Sequence, residues 1–463
     1  MNLHRLLLTV VFATLFGEAA AVPGTPITQA DMPWTSPGPG VYYLSEDVQQ
    51  SSGVAFDIQH DEVTILLNDH KLDWGITGDG RIIDTHDRDS ITLRGPGRII
   101  QGDADPVVGT TFNAYVGGTN ITVDGGIEFV FKATPNVSSS RGFIRGSGGG
   151  SSVVRGCKFD VSGRGPMNLF QFMSEYKILS NTVLVHDWSH PDAHYYSRLF
   201  FQCRSSEFAY NTIDVGPVHA TNVWFGWGRE DYHIHHNSVR FSAWHGRIVL
   251  ADQGTTNWIV EHNDITVTGN ISGTVYVFMT RVPSGGTTAP SQGHVFRYNS
   301  VDMVDTLGQT IGFTFGDTNG VVDITLHHNV FRGKDRLVAF SGGDVTGADI
   351  YCNQFLHEYT GGNTMSLSGG SLTDVVWSSN LFQTQREDGF ITRGTSTADW
   401  IMCDNQAFTS SAHMSSPFAG VVFTTEPVCG NIGTIDCWAT AGPDGVPSTP
   451  PVRPQTPLNV TVE

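Results

Sequence analysis

The sequence predicts an all-β fold: a single-stranded right-handed parallel β-helix, a solenoid with three short strands per coil and an asparagine ladder. Three observations predict it. First, 53 glycines and only 15% charged residues among 463 make a turn-rich β composition, poor in the residues that fill helices. Second, heptads and long amphipathic helical runs are missing. Third, an apolar strand followed by Asn, one variable residue and an apolar residue recurs at Asn181, Asn211, Asn237, Asn263, Asn299, Asn329, Asn353 and Asn380, then loosens at Asn405. The successive spacings are 30, 26, 26, 36, 30, 24, 27 and 25 residues. Such periods belong to solenoids, in which each unit buries its apolar face against its neighbours.

Along the chain, residues 1–21 read as a secretory signal: a basic start at His4 and Arg5, an apolar core too short to span a bilayer, and Ala19 to Ala21 for cleavage. Residues 22–40 are rich in Pro and Gly and lead into an N-terminal cap. The β-helix is expected over 41–425, with weaker upstream turns in which Gly or Cys, as at Cys157, replaces Asn. A Cys-containing cap over 426–441 and a Pro-rich disordered tail over 442–463 follow.

Within one coil, residues 208–210 precede Asn211, residues 213–215 follow it, and residues 223–228 supply a third strand. Asn at a fixed corner has a physical reason: its amide can donate and accept along the stack, and Asn tolerates the left-handed conformation of sharp bends. His236, His262 and His328, with Tyr210 and Tyr298, sit one place before the ladder Asn, which suggests an interior stack. His233 and His235 alternate on a strand, a geometry metals can use, but the structural role is preferred and no metal site is assigned.

Six cysteines in an exported chain permit three disulfides, with Cys429–Cys437, Cys352–Cys403 and Cys157–Cys203 as candidate pairs. No CxxC occurs. Sequons begin at Asn120, Asn136, Asn270 and Asn459, so a eukaryotic export route would allow glycosylation. A formal charge of −19 argues against nucleic acid or an anionic membrane as partner. It leaves room for a polysaccharide held in a local basic groove, and oligomeric state is open.

The Asn ladder and three-strand coil resemble the pectin-lyase-like superfamily of right-handed parallel β-helices, over most of the mature chain. The resemblance implies that the Asn corner separates the second and third strands of each coil. The strand named third above is then the family's first, and with its flanking loops it forms the carbohydrate groove.

Aligning the groove strands places residues 200–204, 225–229, 249–253, 277–281 and 313–317 side by side. Arg204, Arg229, Asp252 or Gln253, and Arg281 then form a column, with Asp317 beyond. The preceding loops carry His194, His219 and His245, along with Trp188, Tyr195 and Trp244. Gln202 and Trp227 share strand faces with Arg204 and Arg229. Elimination across the glycosidic bond of a uronate needs its carboxylate neutralised, a base for the C5 proton and an acid for the leaving oxygen. Arginine suits the first task through a permanently charged fork, and histidine the second near neutral pH. The expected catalytic residues are therefore Arg204, Arg229, His219, His245, Arg281 and His194. The expected substrate contacts are Trp188, Tyr195, Gln202, Trp227, Trp244, Asp252 and Gln253. Calcium is possible, but no motif indicates it. The leading expectation is a secreted polysaccharide lyase acting on an acidic glycan. A non-catalytic carbohydrate-binding or structural surface protein is the alternative, and a glycoside hydrolase a further one, although the superfamily's polygalacturonase-type and Asp-Pro-His motifs are missing.

Overall fold

The computed structural model describes residues 24–408, apart from 52, 75–79, 102–111, 134–140, 147–149, 164–166, 172, 189–197, 202, 219–229, 244–245, 253–254, 270–272, 282–289, 305, 307, 316–319, 342, 359–364, 369, 385–390, 394–397 and 404. The chain winds as a right-handed parallel β-helix. Coil stacking is already present near the start, where Thr25–Ile27 pairs in parallel with Gly40–Leu44. The signal, the C-terminal cap and the tail lie outside the described residues.

Each coil contributes to three sheets. The strand before the ladder Asn joins a pre-ladder sheet, whose register runs Ile178, Phe208, Ile234, Val260, Phe296, Leu326, Ile350. The strand after it joins a post-ladder sheet of fourteen strands in strict chain order. The third sheet is described in two runs, seven strands ending with Arg198–Phe201 and six beginning with Gly246–Asp252. The third strand expected at 223–228 lies between them, outside the described residues.

Alternation decides what enters the core. Ile234, Val260, Phe296 and Leu326 are almost fully buried, and aromatic rings stack from coil to coil, as Phe331 does on Phe355 and Phe355 on Phe382. Like side chains one coil apart are thus superimposed, and offset stacking adds to their apolar burial.

The ladder itself is continuous. The main-chain N–H of Asn237 donates to Oδ1 of Asn263 at 3.0 Å, and its side-chain amide donates to the same oxygen at 2.9 Å and to the Phe208 carbonyl at 2.9 Å. The pattern repeats at each step and holds at the far end, where Asn380 donates twice to Asn405 although the sequence repeat has loosened there. At the near end the Cys157 N–H donates to Asn181, which puts Cys157 in the ladder column. Each Asn therefore satisfies backbone groups that a dry corner would otherwise strand.

Two expectations about this corner need correction. The left-handed residue is the one before Asn: Tyr210, His236, His262, Tyr298 and His328 have φ of 59°, 53°, 54°, 54° and 54°. That conformation turns their side chains outward while Asn turns inward, so their stack lies on the exterior. The pairing of Cys157 with Cys203 also fails: both are buried thiols, one at the ladder corner and the other beyond Arg198–Phe201 at a different corner. Burial pushes the Cys157 thiol up to about 12. The side chain of Cys403 and all of Cys429 and Cys437 lie outside the described residues.

Candidate functional site

The third sheet is the one along which the groove is expected. Its strands bring Asp252 and Arg281 directly opposite each other on adjacent coils, at the carboxyl ends of Gly246–Asp252 and Thr274–Arg281. Their backbones are described and their side chains are not. The register is Val249, Phe278, Phe313, Val338, one residue from the expected alignment through Val277. The inward column selects the larger ring at Phe278, and a one-residue slip would send it to the opposite face.

Arg204 is not on the groove strand. That strand ends at Phe201, and Arg204 stands exposed at the following corner, its carbonyl accepting from the Glu175 N–H at 2.7 Å. Trp188 closes the strand Thr182–Trp188, with its side chain outside the described set. His194, Tyr195, Gln202, His219, Trp227, Arg229, Trp244, His245, Gln253 and Asp317 lie outside the described residues. Trp258 is core, fully buried against Tyr232.

On the described coils the outward column of this sheet, Met279, Thr314, Ala339 and Ser366, is itself buried. Post-ladder strands such as Asp264–Val267 alternate accessible and buried residues, whereas Gln309–Phe315 is buried at every position after its first. Both faces of the third sheet are therefore covered there.

The largest cluster of titratable groups among the described residues lies elsewhere, on the exterior of the ladder corner. Two columns build it. The residue just before each ladder Asn gives Tyr210, His236, His262, Tyr298 and His328, whose rings follow one another at 4.9, 4.9, 4.9 and 5.0 Å. The residue two before gives His235, Glu261, Arg297, His327 and Tyr351, in register one coil apart. Strand alternation then adds Glu207 and His233 on the same outward face.

These groups largely satisfy one another. Glu261 accepts from His233 at 2.8 Å and from Arg297 at 2.5 Å, which holds its carboxyl down to about 2 despite partial burial. His235 Nε2 meets Glu207 Oε1 at 3.1 Å, and Nδ1 meets Nδ1 of His236 at 2.9 Å. Burial, then the neighbouring His233, lowers the His235 pKa. His327 repeats the contact, Nδ1 to Nδ1 of His328 at 2.8 Å, with Tyr351 stacked on its ring at 4.7 Å. Burial depresses His327 to about 3 and also lowers His262 and His328. His233 and His235 do share a face, at 4.0 Å between ring centres. Among the described residues, no group of three or more His, Cys, Asp or Glu is arranged to hold a metal ion. The signal for Glu261, Arg297 and Tyr351 is present in the sequence: alignment on the ladder Asn puts all three in one column, two residues before it.

No family model matches the chain, and no curated protein matches it. Among solved structures it is similar to a variant tailspike protein of E. coli bacteriophage HK620 in complex with a pentasaccharide, at 12% identity and a TM-score of 0.47, over 87% of this chain and 76% of that one. It is also similar to the periplasmic alginate epimerase AlgG, at 12% identity and a TM-score of 0.36, over 75% of this chain and 77% of that one. No described helix is long and apolar enough to cross a membrane.

Proposed function

We propose that this is a secreted polysaccharide-active protein that cleaves an acidic, uronate-containing glycan by β-elimination in a groove along the third sheet. The observation that supports this reading is the register of Asp252 against Arg281 at the carboxyl ends of adjacent strands. Adjacent coils are about 4.8 Å apart, so these two positions follow one another directly along the column. An arginine at Arg281 would neutralise the uronate carboxylate and acidify the C5 proton. A histidine from the adjoining loops (His194, His219 or His245) would take that proton, a second of these histidines or Tyr195 would protonate the departing glycosidic oxygen, and Asp252 would contact the substrate. Arg229, Trp188 and Trp227 are the expected neighbours along the chain of sugars.

A non-catalytic glycan-binding or structural rod is the second reading, favoured by the burial of Met279, Thr314, Ala339 and Ser366 where an open polar groove would lie. Incubation of the mature protein with pectate, alginate, hyaluronan, chondroitin and neutral glucans, with and without calcium, separates the two. Cleavage products with unsaturated ends support elimination; saturated reducing ends point to hydrolysis. Glycan retention without new ends supports the rod.

A further inference from the structure

The two His-His-Asn corners, at 235–237 and 327–329, fold alike and differ in their surroundings. Each brings two Nδ1 atoms together, at 2.9 Å and 2.8 Å, with ring planes crossed at 85°. A single shared proton accounts for such a contact, and so does a cation that takes both nitrogens.

We propose that His235 and His236 form a two-nitrogen clamp for a tetragonal divalent cation, Cu(II) or Ni(II), with water completing its coordination. Imidazole nitrogen binds such ions at about 2.0 Å, so the cis edge of a square is about 2.8 Å and that of a tetrahedron about 3.3 Å. The observed spacing fits the square. His235 also has the orientation that ligand histidines need: its Nε2 faces Glu207 Oε1 at 3.1 Å, which places the ring proton on Nε2 and leaves the Nδ1 lone pair directed at His236. His236 is exposed, so its proton can move to Nε2 and into water. A small rotation of the rings about their Cβ–Cγ bonds would then turn both lone pairs toward one cation.

The second corner provides an internal control. His327 has no hydrogen bond to a carboxylate among those described, and Nε2 of His328 is buried without a hydrogen-bond partner, so moving its proton there strands a donor. That pair keeps its shared proton and binds no metal.

The test is titration of untagged full-length mature protein with Cu(II), Ni(II) and Zn(II) by calorimetry, joined to electron paramagnetic resonance of the copper form. The expected result is a Cu(II) site with superhyperfine coupling from two nitrogens, lost in His236→Gln, kept in His328→Gln, and at least about tenfold weaker for Zn(II). Circular dichroism verifies that both variants fold. Copper binding in His236→Gln equal to that of the unaltered protein overturns the proposal, as does loss of the site in His328→Gln. An absence of any copper uptake also overturns it, leaving the shared proton as the whole account of the contact.

Discussion

The ladder corner and the corner between the post-ladder and third sheets are built on different principles. At the ladder corner one left-handed residue and one Asn separate the strands in every coil from Asn181 to Asn380, as His236 and Asn237 do between His233–His235 and Ser238–Ala243. At the other corner the connection is two residues at 334–335, six at 268–273 and nine at 189–197. The first corner is tied to its neighbours above and below by three hydrogen bonds per coil, so its composition cannot drift. Among the described residues, no such chain of bonds runs through the second. A solenoid of this kind thus keeps one corner fixed for folding and leaves another open to variation, and loops that vary are where specific chemistry resides.

An insertion tests that contrast most severely. Two residues placed between His262 and Asn263 should abolish the cooperative unfolding transition, because every coil beyond loses its ladder register. The same insertion between Lys334 and Asp335 should change stability by less than about 1 kcal/mol, since loop length alone weighs little. Equal damage at both places would remove the distinction.

Next in size is Asn299→Ala. It strips the acceptor from the main-chain N–H and side-chain amide of Asn263, at 3.1 and 2.9 Å, and leaves both buried. Stranded donors of this kind destabilise by about 1–3 kcal/mol each, so urea unfolding should register a loss of about 3 kcal/mol. A loss below about 1 kcal/mol would mean that the ladder decorates the corner rather than holding it.

Acidification probes the exterior of the same corner. His327 there, and His294 in the core beside Thr255 and Trp258, are both depressed to about 3, chiefly by burial, against 6.5 in the unfolded chain. The unfolded state therefore binds more protons between these values, and stability should fall from pH 6.5 downward to about 3. Glu261, held at about 2 against 4.5, adds a further loss between pH 4.5 and 2. Thermal melts should follow this course, and His327→Gln should flatten the upper part of it.

The smallest effect is expected away from the corner. Arg332 pairs with Glu358 at 2.5 Å and Asp302 at 3.3 Å, but its side chain is half exposed. Arg332→Ala should lower the unfolding free energy obtained from urea titration by less than about 1 kcal/mol.

The same contrast explains what the sequence could tell. The ladder, the strand after each Asn and the core column through Phe208, Ile234 and Val260 were readable because the hydrogen-bonded corner fixes their spacing. The outward direction of His236 and His262 was not, since a period marks a column without saying which way the backbone turns it; only the left-handed φ does. Third-sheet register slipped by one residue at Val277 because both Val277 and Phe278 are buried, which erases the alternation that sets register elsewhere. Arg204 was misplaced for a related reason: no fixed corner precedes its strand, so nothing in the spacing marks that the strand stops at Phe201.

If a uronate glycan is cut by elimination along the column of Asp252 and Arg281, the ultraviolet absorbance of unsaturated uronate should climb steadily when the unaltered protein is incubated with at least one acidic glycan. In Arg281→Ala the rate should drop at least about a hundredfold, as for loss of a charge-stabilising group. A flat trace on every glycan, or a rise that Arg281→Ala leaves intact, would rule this chemistry out.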